Sequence, residues 1–488
     1  MELPRASTGL SGLDQIFHGG LPQARTYLLH GLSGAGKTTF GLRFLLEGAR
    51  REERCLLVSN AETPAEIDAL MRSHGWDLGG IHLGMWEEGS ARGGQEYTVF
   101  SPAEVELEAS LSKLFAEIED KNPQRLVIDS LAGIRMLARD RALFRRQIQS
   151  LCRFLADREC TTLLVDDIAQ QGESGTETLV HGVLQLEHFP LVYGGDRRRL
   201  RVSKLRASDF VSGYHDYVIR RGGPVVYPRL VAAAHEAQLG GELVTSGLPR
   251  LDAMAGGGLP RGTSTLLLGP SGVGKSTVSG LYASSAAERG ENVAVYLFDE
   301  TPAVWKARNE GLGIAVMAHI RSGRIRLVHL DPAEMSPGEF SHGILDLVET
   351  ENVRVIVIDS LNGFRHAMPG ETLLLLYLRE LLAFLAQHDV LTLLTMSQHG
   401  LLGDMGTPLD LSFIADNLIL FRYFESAGSV RQAVSMVKKR AGPNERTIRE
   451  LEMTPEGVRL GEPLADFEGV LAGHDFVPVP RAREGIGS

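Results

Sequence analysis

The sequence predicts an α/β protein of two tandem domains, each a mostly parallel, twisted sheet flanked by helices. Three observations carry that reading. Short apolar, β-branched runs alternate with longer helical patterns along the whole chain. The runs are apolar throughout rather than at every second residue, as in VRVIVID at 353–359, which marks strands covered on both faces. The chain also repeats itself: STGLSGLDQIFHGGLPQ (Ser7–Gln23) returns as TSGLPRLDAMAGGGLPR (Thr245–Arg261), 238 residues on.

In the first half Arg25–His30 reads as a short strand, Lys37 to about Arg50 as a helix and Arg54–Ser59 as the next strand. Pro64–Gly75 reads as a helix, with Pro64 suited to a first helical position. Ala103–Lys121 is a longer amphipathic helix, Arg125–Asp129 a strand, Ala142–Glu159 a helix and Thr161–Asp166 a strand, before β-rich sequence from Val183 to Val226. The second half repeats the order: strand Ser264–Leu268, helix Lys275–Arg289, and strands Asn292–Phe298, Val353–Asp359 and Val390–Met396. Asp14 and Asp252, Lys37 and Lys275, and Glu62 and Glu300 all stand 238 residues apart; Asp129 and Asp359 are 230 apart, and Lys204 and Lys438 are 234 apart. A constant offset that later drifts by a few residues is what duplication followed by loop changes leaves. The expected domains are 1–235 and 240–473, with a short flexible tail at 474–488. The small-residue stretch Leu230–Gly241 holds the boundary.

Between the first strand and helix of each half lies the pattern GxxxxGK[ST], as Gly31–Thr38 (GLSGAGKT) and Gly269–Ser276 (GPSGVGKS). Glycines let the backbone curl so that several N–H groups face one anion, and the following helix adds its positive end. The cradles comprise Ser33, Gly34, Ala35, Gly36, Lys37, Thr38 and Thr39, and Ser271, Gly272, Val273, Gly274, Lys275, Ser276 and Thr277. Each lysine is placed for the β- and γ-phosphates and each following hydroxyl for Mg²⁺, so two nucleoside triphosphates are expected.

The chain has 488 residues, 43% hydrophobic and 23% charged, the balance of a globular protein. A formal charge of −11 argues against nucleic-acid binding by the surface as a whole. The N-terminus lacks a signal-peptide pattern, no apolar run reaches membrane-spanning length, and Cys55, Cys152 and Cys160 lack metal-ligand spacing. A cytoplasmic protein is expected.

Hydrolysis needs further carboxylates. Asp129 and Asp359 end buried strands and are each followed by Ser-Leu, which suits metal binding with Thr38 and Ser276. Glu62, Asp299 and Glu300 end the strand after each cradle helix and are candidates to orient or deprotonate water. Glu62 and Glu300 could instead cap the helix that opens at the following Thr-Pro. The basic run Arg197–Arg206 reads either as a solvated hairpin or as a strand aiming Lys204 and Arg206 at a triphosphate.

This constellation resembles the RecA-like ATPases, and among them the double-domain KaiC family of circadian-clock-type proteins, over roughly residues 7–473. The marks are the LxxLDxxxxGGLP segments, both phosphate loops, Glu-Thr-Pro after the second strand, Ile-Asp-Ser-Leu, and the basic strands Ser203–Arg206 and Val437–Arg440. The resemblance implies two RecA-like domains, ATP and Mg²⁺ as ligands, and a homohexamer with nucleotides between neighbours. It makes Lys204, Arg206, Lys438 and Arg440 the contacts to a neighbour's γ-phosphate, and it implies an unidentified signalling partner. Family members usually carry two adjacent glutamates where this chain has Ala61-Glu62 and Asp299-Glu300. Which position matters more stays open at this level, so the first site could bind ATP yet turn it over slowly. Of the paired phosphoacceptors, Ser412 survives as a candidate for self-phosphorylation, Phe413 replaces the other, and Thr407 lies nearby. Ala465–Gly473 resembles the loop that closes over the ring channel. The expected function is a signalling ATPase, with autophosphorylation on serine. The competing expectations are a nucleotide-gated scaffold with little turnover and a RecA-type DNA-dependent ATPase. The latter needs channel-facing cations, which Gln170–His181 and Ser397–Asp410 lack.

Overall fold

The computed structural model describes residues 4–85, 102–138, 140–167, 175–191, 194–231, 241–331, 333–366, 371–398, 413–426, 428–465, 467–468 and 477–478. It divides into two compact units, Met1–Arg229 and Leu230–Ser488. Most of the expected linker, at 232–240, lies outside the described residues, as do Thr407, Ser412 and most of the tail.

The first unit is built on strand β1 (Thr26–Gly31), followed by the cradle and helix α1 (Lys37–Arg50). Next come β2 (Cys55–Ser59), α2 (Pro64–His74), β3 (Ile81–Met85), α3 (Pro102–Lys121), β4 (Arg125–Asp129), α4 (Ala132–Leu137), α5 (Arg141–Ala156) and β5 (Thr161–Asp167). Four strands close the unit: β6 (Gly182–Phe189), β7 (Arg197–Leu205), β8 (His215–Arg220) and β9 (Gly223–Tyr227). Their order across the sheet is β9-β8-β7-β6-β1-β5-β4-β2-β3. The strands from β6 to β3 are parallel, and β7, β8 and β9 extend the sheet antiparallel.

The second unit repeats the plan with β10 (Ser264–Gly269), α6 (Lys275–Glu288), β11 (Asn292–Leu297), α7 (Pro302–Gly311), β12 (Ile325–His329), α8 (Pro337–Glu351), β13 (Val353–Asp359), α9 (Leu361–His366), α10 (Glu371–Gln387), β14 (Leu391–Ser397), β15 (Asn417–Ser426), β16 (Ser429–Lys439), β17 (Ile448–Thr454) and β18 (Gly457–Pro463). The sheet order, β12-β11-β13-β14-β10-β15-β16-β17-β18, is that of the first unit read from its other edge.

Both faces of each sheet are covered, which is why the strand runs are apolar throughout. Successive residues of a strand point to opposite faces. Leu29, Leu57 and Val127 therefore pack with Leu42 of α1 on one side. Leu28, Leu56 and Ile128 pack with Ile148 and Leu151 of α5 on the other. Each such side chain contributes roughly 1.5–3 kcal/mol by leaving water. A left-handed residue starts each cradle helix: Gly36 at φ 90° and Gly274 at φ 106°. A Cβ on Gly36 would come within 2.3 Å of Ile219 Cδ1 and push that side chain aside, and the left-handed backbone is what favours glycine there.

His215 ties the antiparallel extension together. Its buried ring lies between Val211, whose carbonyl is 2.9 Å from Nε2, and the Arg229 N–H, which donates to Nδ1 at 2.8 Å. That pair of bonds requires the neutral ring, and burial pushes its pKa down to about 4. An unfolded His takes its proton near 6.5. The contribution is therefore complete above about pH 6.5 and is lost as pH falls toward 4, up to about 3 kcal/mol in all. Denaturant unfolding of the full chain at pH 7 and 4.5 checks this. His215→Asn should be less stable at pH 7 and should lose less of its stability on acidification than the parent.

Candidate functional site

Each cradle lies at the carboxyl end of a central strand, and the parallel register brings neighbouring strand ends to the same edge. In the first unit Gly31 pairs with Asp167, while Asp129 pairs with both Val165 and Ser59. Lys37 folds back over its loop, donating to the carbonyls of Gly31 at 3.0 Å and Leu32 at 3.1 Å. The Thr38 hydroxyl donates to Asp129 Oδ2 at 2.7 Å. Burial holds Asp129 above the usual carboxylate range, against the pull of Thr38 and Lys37.

Glu62 does not cap α2. Thr63 does that, accepting from the Glu66 N–H, while Glu66 returns a carboxylate oxygen to the Thr63 N–H at 2.8 Å. Glu62 instead borders Thr38 and Asp129. Burial and the Asp129 charge raise its pKa, and its Oε2 is buried without a partner among the described residues. Thr301 likewise caps α7 and frees Glu300 from that role.

In the second unit Lys275 donates to the carbonyls of Gly269 at 2.9 Å and Pro270 at 2.6 Å. Burial pushes its pKa down to about 8, with the nearby Asp359 charge acting the other way. Thr395 donates to Asp359 Oδ1 at 2.5 Å, which leaves Oδ2 buried and without a partner among the described residues. Asp299 accepts from the Ser360 hydroxyl. Arg308 of α7 holds Glu300 through two bonds, at 2.5 and 2.7 Å. A cavity of about 690 Å³ joins the cradle to Asp299, Asp359 and Arg308, and continues past Leu312 and Met453. The peptide bond after each strand-end aspartate, Asp129-Ser130 and Asp359-Ser360, is cis in both units.

The four basic-strand cations bond none of their own loop. Lys204 pairs with Val183, which pairs with Leu28, three residues short of Gly31 along β1. Its ammonium donates to the carbonyls of Glu177 at 2.5 Å and Val180 at 2.7 Å, and Arg206 donates to that of Thr178 at 2.9 Å. In the second unit Lys438 donates to Ala415 at 2.7 Å and Arg440 to Phe413 at 3.2 Å.

Three neighbours of the cradles escaped the sequence reading. Asp167 sits 2.7 Å from Lys37 Nζ, where the second unit has Ser397; the doubled aspartate ending TTLLVDD was the available signal. Arg308 was visible only as a charge standing where the first half has Leu70, at the same 238-residue offset. Thr395, the partner of Asp359, carried no signal.

The donor sets fit Mg²⁺. A hydroxyl and a carboxylate at each cradle are the hard oxygen ligands it takes, and it is held by few protein groups together with substrate phosphates. No group of three or more His, Cys, Asp or Glu side chains forms a metal cluster among the described residues. No helix among them is long and apolar enough to cross a membrane.

Two phosphate cradles on parallel sheets define a tandem nucleotide-binding protein of the RecA-like class: Thr38 bonds the strand-end Asp129 in the first, and Ser276 lines one cavity with the strand-end Asp359 in the second. The family model for the KaiC ATPase matches residues 6–231 and again 244–465. The chain belongs to the KaiC ATPase family. It is 26% identical to the circadian clock protein KaiC3 of Synechocystis sp. over 480 residues, 96% of this chain and 94% of the relative. It is 27% identical to the circadian clock oscillator protein KaiC of Thermosynechococcus vestitus, covering 97% and 92%, and 26% identical to that of Synechococcus elongatus, covering 96% and 92%.

The Asp167–Lys37 contact sets a test. Phosphate entering the first cradle must displace this carboxylate, and among the described residues no such ion pair holds Lys275. The Asp167 side chain is 57% exposed, so the effect is modest. In a Lys275→Ala background, Asp167→Asn should tighten ATP binding about 2–5-fold in a fluorescent-nucleotide titration.

Proposed function

We propose that this chain is an ATP-hydrolysing signalling ATPase that assembles as a homohexamer, with ATP·Mg²⁺ at both cradles and each pocket completed by a neighbouring protomer. The observation that carries it is the buried oxygen without a partner among the described residues at each site, Glu62 Oε2 near the cradle's Thr38 and Asp359 Oδ2 near the cradle's Lys275. Leaving a buried carboxylate oxygen unmatched costs several kcal/mol unless a ligand supplies the partner.

The residues divide the work as follows. Loop N–H groups and Lys37 or Lys275 hold the β- and γ-phosphates and orient the terminal one. Thr38 with Asp129, and Ser276 with Asp359, would hold Mg²⁺, which when bound neutralises charge on the phosphate oxygens. In the second unit Asp299, kept in place by Ser360, accepts a proton from the attacking water. In the first unit Ala61 offers no carboxylate, and Glu62 takes that place. Lys204, Arg206, Lys438 and Arg440 supply positive charge to a neighbour's transferring phosphoryl group, where preorganised donors act most strongly. They bond none of their own loop, which supports this assignment.

The signalling role follows from the clock proteins among the relatives. Ser412 lies outside the described residues; we propose it as an acceptor of the γ-phosphate, the second use of the C-terminal pocket. A partner protein is expected from the same likeness. The acidic overall charge disfavours nucleic acid.

Phosphate release by purified protein, with its mass measured in the presence and absence of ATP·Mg²⁺, tests the proposal. A nucleotide-gated scaffold would assemble without releasing phosphate. In a Glu62→Gln background that leaves the C-terminal pocket as the source of turnover, Asp299→Asn should lower phosphate release by ~10²–10⁴, with nucleotide still bound.

A further inference from the structure

The two units follow one plan, yet a single helical position differs in a way that changes the chemistry at its end. Two turns into the helix that opens at Thr-Pro, the first unit has Leu70 and the second has Arg308. Leu70 packs against the apolar layer beneath α2. Arg308 reaches back along α7 and grips both oxygens of Glu300 with both terminal nitrogens. A two-point grip of this kind is strong and fixes the carboxylate's direction. Side-chain exposures of 28% for Arg308 and 18% for Glu300 place the pair largely out of water.

What remains at each site is one available carboxylate, at a different chain position. In the second unit Glu300 is committed to Arg308, and Asp299, one residue earlier, bonds Ser360 beside Asp359. In the first unit that earlier position is Ala61 and contributes nothing. Glu62, at the position of Glu300, forms no ion pair among the described residues. It has an unpartnered buried oxygen and lies against Thr38 and Asp129. The arginine and the earlier carboxylate occur together, and they are absent together.

We propose that the residue at this helical position selects which of two adjacent carboxylates faces the phosphates. Arg308 is a positioning residue that withdraws Glu300 and leaves the role to Asp299; Leu70 leaves Glu62 free to take it. The assignment rests on the nucleotide reading of the two cradles, and it deepens that reading by giving each site a different acidic residue for a stated physical reason.

The test uses the full chain carrying Glu62→Gln, with two readouts. The first is binding of a fluorescent ATP analogue with Mg²⁺, taking the component of the isotherm that Lys275→Ala removes. Arg308→Leu sets an unpaired carboxylate loose near the triphosphate and should weaken this component about 3–30-fold. Arg308→Leu with Glu300→Gln should return it to within about 2-fold of the parent, and Arg308→Lys, which keeps the charge but not the two-point grip, should fall between Arg308→Leu and the parent. A fault in α7 packing would not be repaired by changing Glu300. The second readout is phosphate release. Asp299→Asn should abolish most of it, and adding Arg308→Leu should recover at least about 10-fold over Asp299→Asn alone, as the freed Glu300 swings in. The proposal is overturned if the Arg308→Leu/Glu300→Gln protein binds no better than Arg308→Leu. It is equally overturned if Asp299→Asn/Arg308→Leu stays as inactive as Asp299→Asn. A parent that binds ATP at Lys275 but releases no phosphate would remove the hydrolysis reading alone, and the binding series would then decide the clamp.

Discussion

The register of the parallel strands is the constraint on which each site depends. Gly31, Asp129 and Ser59 end their strands at one edge because β1, β5, β4 and β2 pair in step. The same holds for Gly269, Ser397 and Asp359 in the second unit. A slip of one residue would turn each strand-end side chain to the other face of the sheet. Asp129 would then leave Thr38, and the apolar layers would be exposed. The packing energy of two covered faces therefore also holds the polar geometry at the edge. A cradle without this sheet would be a flexible glycine loop with little affinity for an anion.

Within that shared frame the two units handle charge differently. Behind the first cradle β1 carries His30 and β5 ends Asp166-Asp167, with Arg135 paired to Asp166. At the same places β10 and β14 carry Leu268, Met396 and Ser397. Lys37 thus sits in a polar surround with a carboxylate on its ammonium, whereas Lys275 is buried and bonded to carbonyl oxygens. The buried lysine has had its charge made costly, since its pKa is pushed down to about 8. A polyanion recovers that cost when it arrives. The first cradle offers its lysine a partner in advance, so incoming phosphate exchanges one anion for another. Duplication kept the fold and the cradle while the surroundings diverged, polar in the first unit and apolar in the second.

Much of this was legible in the sequence, because the informative signals are local. The cradles are contiguous octapeptides, and α1 begins at Lys37 and ends at Arg50 as its pattern indicates. Asp129 and Asp359 were visible because each ends an apolar run. Strand β3 was not, since Ile81–Met85 is short and interrupted by Gly84, and its place at the sheet edge is set by pairing with β2. Nor was α8, although Ser336 caps it and Pro337 opens it, because its apolar face is defined by what β13 presents. The same reason hides the contacts that separate the two sites. Asp167 meets Lys37 across two strands far apart in sequence, and Arg308 meets Glu300 around two helical turns. Composition and spacing gave the parts; the partner of each buried charge needed the fold.

The charge around each pocket also bears on assembly. The second cavity gathers Asp299, Glu300 and Asp359 against Lys275 and Arg308, and Arg308 is already neutralised by Glu300. A triphosphate adds several negative charges to a site whose own uncommitted cation is the cradle lysine. Mg²⁺ offsets part of that, but charge that grows on the transferring group needs donors already in place. The cations best suited, Lys438 and Arg440, bond the carbonyls of Ala415 and Phe413 rather than their own loop, and Lys204 and Arg206 do the same in the first unit. Arg440 also pairs with Asp416 at 3.5 Å, so the carbonyl contacts are joined there by an ion pair within the domain. On the proposed reading, a neighbouring copy brings the basic strand of one domain to the carboxylate-rich pocket of the next.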